Sequence, residues 1–426
     1  MTPLRDLIQT FGQIGLMSFG GPAAQIALMH RVLVDDRKWL TEKDYLSALS
    51  FCMLLPGPEA MQLATWSGWR LRGTLGGLIA GGLFVLPGAL VVLALTMVYA
   101  AFGGVPAVQA LFAGVQAAVA VIVIEALLRV GKRALKGPAA LIIAGLAFLA
   151  LFAFNAPFPL VILLAGAWGF VTARGAKGDL PPRPTLSRTL RTIALWTTIW
   201  LAPLALLWLA EGGILAEIGA FFAKLAILTF GGAYAVLAWM AQAVVEEKGW
   251  LTLTQMMDGL GLAETTPGPL ILVTEFVGYM AAHQSGGWML GLAGAAVTLW
   301  ATFVPSFLMI FAGAPWIARI TADPRLAGAL SAIMAAVVGV IANLALWFAA
   351  HVFFTRVDRL TVGPLDLILP DPGSVAPALA AIALICGWLL LRRHVALPLV
   401  LAMAALMGLA LHLLAAAPLW GVATPG

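Results

Sequence analysis

The chain reads as an all-α polytopic integral membrane protein made of two inverted-topology repeats with broken, re-entrant helices. Three observations predict this. Of 426 residues, 62% are hydrophobic and only 10% are charged, and apolar stretches recur that are each long enough to cross ~30 Å of hydrocarbon. The first half of the sequence resembles the second at a fixed spacing. Glycine and proline motifs interrupt the apolar stretches at paired positions.

The repeat is legible residue by residue. "FGQIGLMSFGGPAAQIALM" (Phe11 to Met29) matches "FAKLAILTFGGAYAVLAWM" (Phe222 to Met240). "VDDRKWLT" (Val34 to Thr41) then matches "VEEKGWLT" (Val245 to Thr252), and "PGP" at Pro56 matches "PGP" at Pro267, all without a gap. Further on, Pro87 aligns with Pro305, Pro106 with Pro324 and Glu125 with Asn343. The expected organisation is a first repeat over residues 1–175 and a second over 216–426. Between them, 176–215 holds a basic, Pro-rich connector and one extra apolar helix near 193–210. Two-fold internal repeats are a frequent build of secondary transporters.

The elements follow in order. The pieces around 8–34, interrupted by "FGGP", and 45–69, interrupted by "PGP", are expected to be re-entrant hairpins. Their arms of about 13 residues extend ~20 Å at 1.5 Å per residue, roughly to the bilayer midplane. Spans follow near 74–102, 105–128, 138–155, 158–173, 193–210, 287–313, 326–352, 376–391 and 395–415. With the N-terminus in the cytoplasm, most of the 24 Lys and Arg fall on the cytoplasmic side. Only Lys248, Arg356 and Arg359 then lie outside, and Lys224 lies within the membrane. Full crossing of the first two pieces is the alternative, but it moves Arg31, Arg37, Lys38 and Lys43 outside and weakens the positive-inside bias. In either layout five helices return the chain so that the second repeat starts on the opposite side. The start "MTPLRDLIQTFGQIG" lacks the basic, apolar and small-residue regions of a signal peptide. Cys52 and Cys386 lie in apolar segments, and the five histidines are scattered, so neither a disulfide nor a metal site is expected. The net charge of +5 is modest.

Non-helical backbone at membrane depth is tolerated only where protein covers it or it lines a water-filled cavity. Four such breaks are present: Ser18, Phe19, Gly20, Gly21 and Pro22; Pro56, Gly57 and Pro58, followed by Glu59 and Ala60; Thr229 with Gly231 and Gly232; and Thr265, Thr266, Pro267, Gly268 and Pro269. Each supplies a new helix N-terminus whose free N–H groups carry the positive end of the dipole. Several converging ends make an anion site. A lone GG or Pro usually marks a kink or close packing; pairing by the repeat, with hydroxyls or carboxylates alongside, favours a substrate site.

Ionisable residues inside apolar spans add candidates. Lys224, one to two turns before "TFGG", either complements a bound anion or snorkels to the helix end. Glu59 either satisfies the dipole or takes up a proton when substrate binds; Glu264 is a second proton-coupling candidate, with Glu275 weaker. Glu125 lies beside Arg129, Lys132, Arg133 and Lys136 and is expected to form an interfacial ion pair. "GTLGGLIAGG" (Gly73 to Gly82) lacks the Lys-Ser/Thr of a P-loop and reads as close helix packing. An integral-membrane enzyme would need clustered acids or His with Arg, which the sequence does not show, so no catalytic residue is expected.

"FGGPAAQIALMHRVLVDDRKWLTEKDYLSALSFCMLLPGPEA", with "TFGGAYAVL" and "TTPGP" as its second-half counterpart, resembles the signature of the chromate ion transporter family, in its long two-domain form. The resemblance covers essentially the whole chain. It implies an inner-membrane protein that exports chromate, a tetrahedral dianion, and thereby confers resistance. Carried over by position, the family's motifs fall on Phe19, Gly20, Gly21 and Pro22, on Pro56, Gly57 and Pro58, and on their repeats. Ala233 stands where the first half has proline. Sulfate, of the same shape and charge, is an implied ligand, and a sulfate or other oxyanion transporter or exchanger is the alternative. Expected partners are chromate, sulfate, protons and the lipid bilayer, with a homodimer compatible with the layout. No cofactor, metal or nucleic acid is expected.

Overall fold

A computed structural model describes residues 2–19, 21–173, 184–210, 213–230, 233–320, 323–363 and 365–416. Residues 174–183, which include the start of the basic connector, lie outside the described residues. The chain opens with α1 (Leu4–Met17) and α2 (Gly21–His30), which runs into a π-helical turn at Arg31–Asp36. α3 (Glu42–Cys52), α4 (Glu59–Phe102), α5 (Pro106–Ala134), α6 (Pro138–Phe154), α7 (Phe158–Thr172) and the linking α8 (Leu186–Leu209) follow. The second half repeats the order: α9 (Gly213–Leu228), α10 (Ala233–Gln242), a π-helical turn at Ala243–Glu247, α11 (Leu253–Thr265) and α12 (Val273–Gly313). After the short α13 (Ile317–Ile320) come α14 (Pro324–Phe353), β1 (Val357–Val362), β2 (Leu365–Pro370), α15 (Pro377–Gly387) and α16 (Leu397–Ala416). Among the described residues, six helical stretches are long and apolar enough to cross a membrane. The protein is an all-α, multi-pass membrane protein.

Local chemistry sets the element ends in both halves alike. Thr41 caps α3 by accepting from the Asp44 N–H, and Thr252 caps α11 in a full capping box with Gln255. The turn before each cap uses a left-handed residue, Lys38 (φ 52°) and Gly249 (φ 60°). A cation stacks on the following tryptophan in each: Arg37 lies 5.7 Å from the Trp39 ring and Lys248 5.6 Å from Trp250. The repeat seen in the sequence therefore persists down to single interactions.

α4 and α12 are not straight rods. The backbone leaves the helix at Arg72–Gly73 (Gly73 φ 63°) and at Gly286–Gly287 (Gly287 φ 80°). Each arm folds back on its own long span: a β-carbon on Gly68 would strike the backbone of Gly76, and one on Gly294 the backbone of Gly278. Small residues permit that approach, which is the close packing expected for "GTLGGLIAGG". Residues 59–71 thus form the second arm of a hairpin with α3, and 74–102 form the span.

The halves interlock. α1 packs on α4 and α9 on α12, while α4 and α12 pack on each other across the molecule. α6 and α7 lie against α14, and α15 and α16 lie against α5, so each half's last helices cover the central helix of the other. α8 lies along α9 and α12, with Trp200 Nε1 donating to the Ala301 carbonyl at 3.0 Å. The β1–β2 hairpin, which the apolar pattern did not reveal, packs on α6 and α14. Its signal was the alternation in "VDRLTV" and "LDLILP" around Gly363 (φ 61°). Arg359 on β1 ion-pairs with Glu246 of the second π-helical turn.

Candidate functional site

The four breaks meet in two crossed pairs. The Gly57 N–H donates to the Thr229 carbonyl at 2.7 Å, and the Gly268 N–H donates to the Ser18 carbonyl at 2.8 Å. The PGP glycine of each half is thus bonded to the residue that opens the FGG motif of the other. At the FGG breaks, Phe19 N–H donates to the Met17 carbonyl and Phe230 N–H to the Leu228 carbonyl, each at 2.9 Å, a three-residue turn that ends the helix in the same way twice. Both pairs sit on the crossing of α4 and α12. A β-carbon on Gly57 would lie 2.9 Å from Ser306 Oγ of α12, and one on Gly268 would lie 3.3 Å from Gly88 Cα of α4. Both glycines hold positive φ, +119° and +97°.

The candidate residues divide by what their polar groups already do. Gly57 and Gly268 spend their N–H groups on the opposite half. The Ser18 and Thr229 hydroxyls, both buried, donate to the Ile14 and Leu225 carbonyls one turn back. Thr265 and Thr266 donate to Leu262 and Ala263 carbonyls. At the start of α4 the Ala60 and Met61 N–H groups have no intrahelical acceptor, since Gln62 is the first residue of that helix to bond back, to the Pro58 carbonyl, while the Glu59 N–H faces its own carboxylate. Gly21 and Pro22 begin α2, and Phe19 is exposed. Pro56 and Pro58 flank Gly57, and Pro267 and Pro269 flank Gly268. Gly20, Gly231 and Gly232 lie outside the described residues.

Glu59 faces a cavity of about 270 Å³. Its wall holds Cys52, Gly57 and Glu59 from the α3–α4 break, Arg133 and Lys136 from the end of α5, and Ser331 of α14. Lys224 is elsewhere. It lines a separate cavity of about 300 Å³ with Asn155, Gln242, Glu247 and Asn343, and its Nζ sits 5.3 Å from the Trp239 ring. Glu264 is buried on α11 and accepts from the Tyr234 hydroxyl at 2.9 Å. Glu275 is buried with its Oε2 unpartnered. Glu125 ion-pairs with Arg129 one turn on, as expected.

Three residues of the interior were not singled out by sequence reasoning. Gln25, on α2, donates through Nε2 to the Gly268 carbonyl at 2.7 Å and to the Ser18 carbonyl at 3.2 Å, so it clamps one crossed pair. Gln62 donates to the Pro56 carbonyl at 2.6 Å. Asp258 on α11 is buried and accepts from Tyr99 Oη and Gln116 Nε2, each at 2.7 Å. A polar side chain inside an apolar arm was the available signal in each case. The Asp258 cluster also marks an asymmetry between the halves. α11 packs directly on α5, whereas its counterpart α3 makes no comparable packing on α14 among the described residues. The cavity beside Glu59 opens there instead, with Met334 at the position that matches Gln116.

Comparison with known proteins places this layout among transporters. The chain is 34% identical over 362 residues to a chromate transport protein of Pseudomonas aeruginosa, covering 84% of each chain. It is 32% identical over 338 residues to the chromate transport protein of Cupriavidus metallidurans, covering 79% of this chain and 80% of that one. It is 29% identical over 402 residues to a probable chromate transport protein of Synechococcus elongatus, covering 90% and 96%. No solved structure matches the chain. The profile of the chromate transporter family matches residues 5–170 and 216–409, spanning both halves and every described break, and the chain belongs to that family.

Proposed function

We propose that this protein is a secondary active transporter that exports chromate across the bacterial inner membrane and so confers chromate resistance. The observation that carries the reading is the pair of crossed hydrogen bonds, Gly57 to Thr229 and Gly268 to Ser18, which gathers broken helices of both halves at one crossing. Helix ends at such a crossing, between repeats of opposite orientation, are the usual substrate locus of secondary transporters. The repeats are taken as residues 1–175 and 216–426, inverted about the linking segment 176–215, with the N-terminus cytoplasmic. Chromate is the substrate named for the family and for the relatives above. A tetrahedral dianion suits the free first-turn N–H groups of α4.

Opposite packing of the two halves supports alternating access. The α11–α5 contact is closed through Asp258, and the matching region of the first half is open as a cavity. Exchange of those two arrangements between the repeats would open the other face. A membrane potential negative inside favours exit of a dianion by ~2.3 kcal/mol per charge per 100 mV, so export can run on potential alone. Glu59 at the cavity wall adds proton coupling. Chromate flux in oriented vesicles tests the reading: outward movement that sulfate competes weakly is expected. Inward sulfate movement exceeding chromate export would favour a sulfate or general oxyanion exchanger instead.

A further inference from the structure

We propose that the cavity beside Glu59 is an oxyanion-docking vestibule and that Arg133 and Lys136 are its ligands. The proposal deepens the transport reading and rests on it. Four basic residues crowd the end of α5: Arg129, Lys132, Arg133 and Lys136. Topology alone asks only that they be on one side of the membrane, and any of the four would serve that purpose equally. The fold separates them. Arg129 is neutralised by Glu125. Lys132, Arg133 and Lys136 are all exposed, but Lys132 does not line the cavity. Arg133 and Lys136 do line it, together with Ser331 and residues of the α3–α4 break.

The electrostatics follow from this placement. The vestibule holds two cations and one carboxylate, Glu59, so its field is positive. Neither cation has an ion-pair partner among the described residues. A cleft of one sign with low-dielectric walls concentrates the opposite ion. Arg133 offers a planar fork suited to two oxygens of a tetrahedral anion, and Lys136 a point charge. Glu59 lines the same cavity, so a dianion held by the two cations lies beside a carboxylate. A lipid phosphate has the same chemistry as a free oxyanion, and the experiment must separate them.

The test uses the full chain reconstituted in phosphatidylcholine vesicles, with chromate flux measured against chromate concentration. Arg133→Gln and Lys136→Gln are each expected to raise the half-saturating concentration roughly three- to tenfold, with maximal flux retained. Arg133→Lys keeps the charge but loses the fork, and its half-saturating concentration is expected to fall between those of the wild type and Arg133→Gln. Lys132→Gln removes the same charge from the same helix end and is expected to change nothing. An unchanged half-saturation in the double variant, or an equal shift in Lys132→Gln, overturns the proposal. A second series adds phosphatidylglycerol and follows thermal unfolding. Stabilisation by that lipid, lost in the double variant while chromate half-saturation stays at the wild-type value, would assign the vestibule to lipid and also overturn it. A wild type that moves no chromate would instead refute the transport reading itself.

Discussion

Substituting alanine for Gly57 probes the crossed bonds directly. Gly57 sits at φ +119°, a region that an L residue enters at about 1–3 kcal/mol. The new β-carbon would lie 2.6 Å from Gln62 Nε2 and 2.9 Å from Ser306 Oγ. Gln62 cannot swing aside freely, because its amide is bonded to the Pro56 carbonyl at 2.6 Å. Moving it sacrifices a hydrogen bond worth about 1 kcal/mol. The sum is a destabilisation of about 2–4 kcal/mol, concentrated at the Gly57–Thr229 contact between halves. Gly268→Ala meets the same backbone strain, but the nearest atom is the terminal Cδ1 of Leu272 at 2.9 Å, which yields more easily, so a smaller loss is expected. Gly82→Ala is the control: it has no atom within 4 Å and ordinary helical backbone, and is expected to be neutral or stabilising by up to ~1 kcal/mol. Unfolding midpoints in detergent, followed by tryptophan fluorescence, rank the three. Gly57→Ala unfolding at the same midpoint as Gly82→Ala would refute the reasoning, because the glycine would then be filling a turn under no constraint.

Other expectations can be checked alongside. Tyr99→Phe or Gln116→Leu removes one of the two donors to Asp258, at about 1.5–3 kcal/mol for a bond to a charged acceptor, and should raise amide hydrogen exchange across residues 253–265; unchanged exchange there would dissolve the α11 closure. Glu59→Gln should abolish the pH dependence of chromate transport in vesicles and leave binding measurable, and a retained pH dependence removes Glu59 from coupling. Single cysteines at Asp36 and Lys248 should label from the cytoplasm and from outside respectively; outside labelling at Asp36 would sink the hairpin topology. His30, at the base of the first hairpin, is hydrogen-bonded to Glu42 at 2.5 Å, which raises its pKa, with Asp35 adding to the effect. Its charged form therefore stabilises the hairpin base at low pH, and that contribution fades as pH rises through the raised value. The stability gap between wild type and His30→Asn should shrink as pH rises above the ordinary histidine range, and a gap that widens contradicts the assignment.

Much of the architecture was legible without coordinates. Apolar length locates the spans because a bilayer demands about 20 residues of helix. The fixed spacing between the two "FGG" and the two "PGP" motifs announces two related halves. The breaks are visible because glycine and proline are the residues that interrupt a helix. Local signals such as the Thr41 and Thr252 caps lie within a few residues and need no fold to be seen. The expected Glu125–Arg129 pair is of the same kind, one turn apart.

What depends on residues far apart in the chain was decided only by the tertiary structure. No periodicity says that Gly57 bonds to Thr229 and Gly268 to Ser18, or that Gln25 clamps the second pair. Lys224 shows the same limit: its position before "TFGG" left an anion ligand and a snorkelling lysine both open, and packing alone sets its Nζ 5.3 Å from the Trp239 ring in a cavity separate from that of Glu59. Arg133 and Lys136 read in sequence as two more basic residues at a membrane edge, because charge composition does not record which of them faces the α3–α4 break. The repeat in the sequence determined that the two halves share one design, while three-dimensional packing decided where they differ, closed at Asp258 and open beside Glu59, because side chains that make or withhold a contact across helices are paired by the fold and not by spacing.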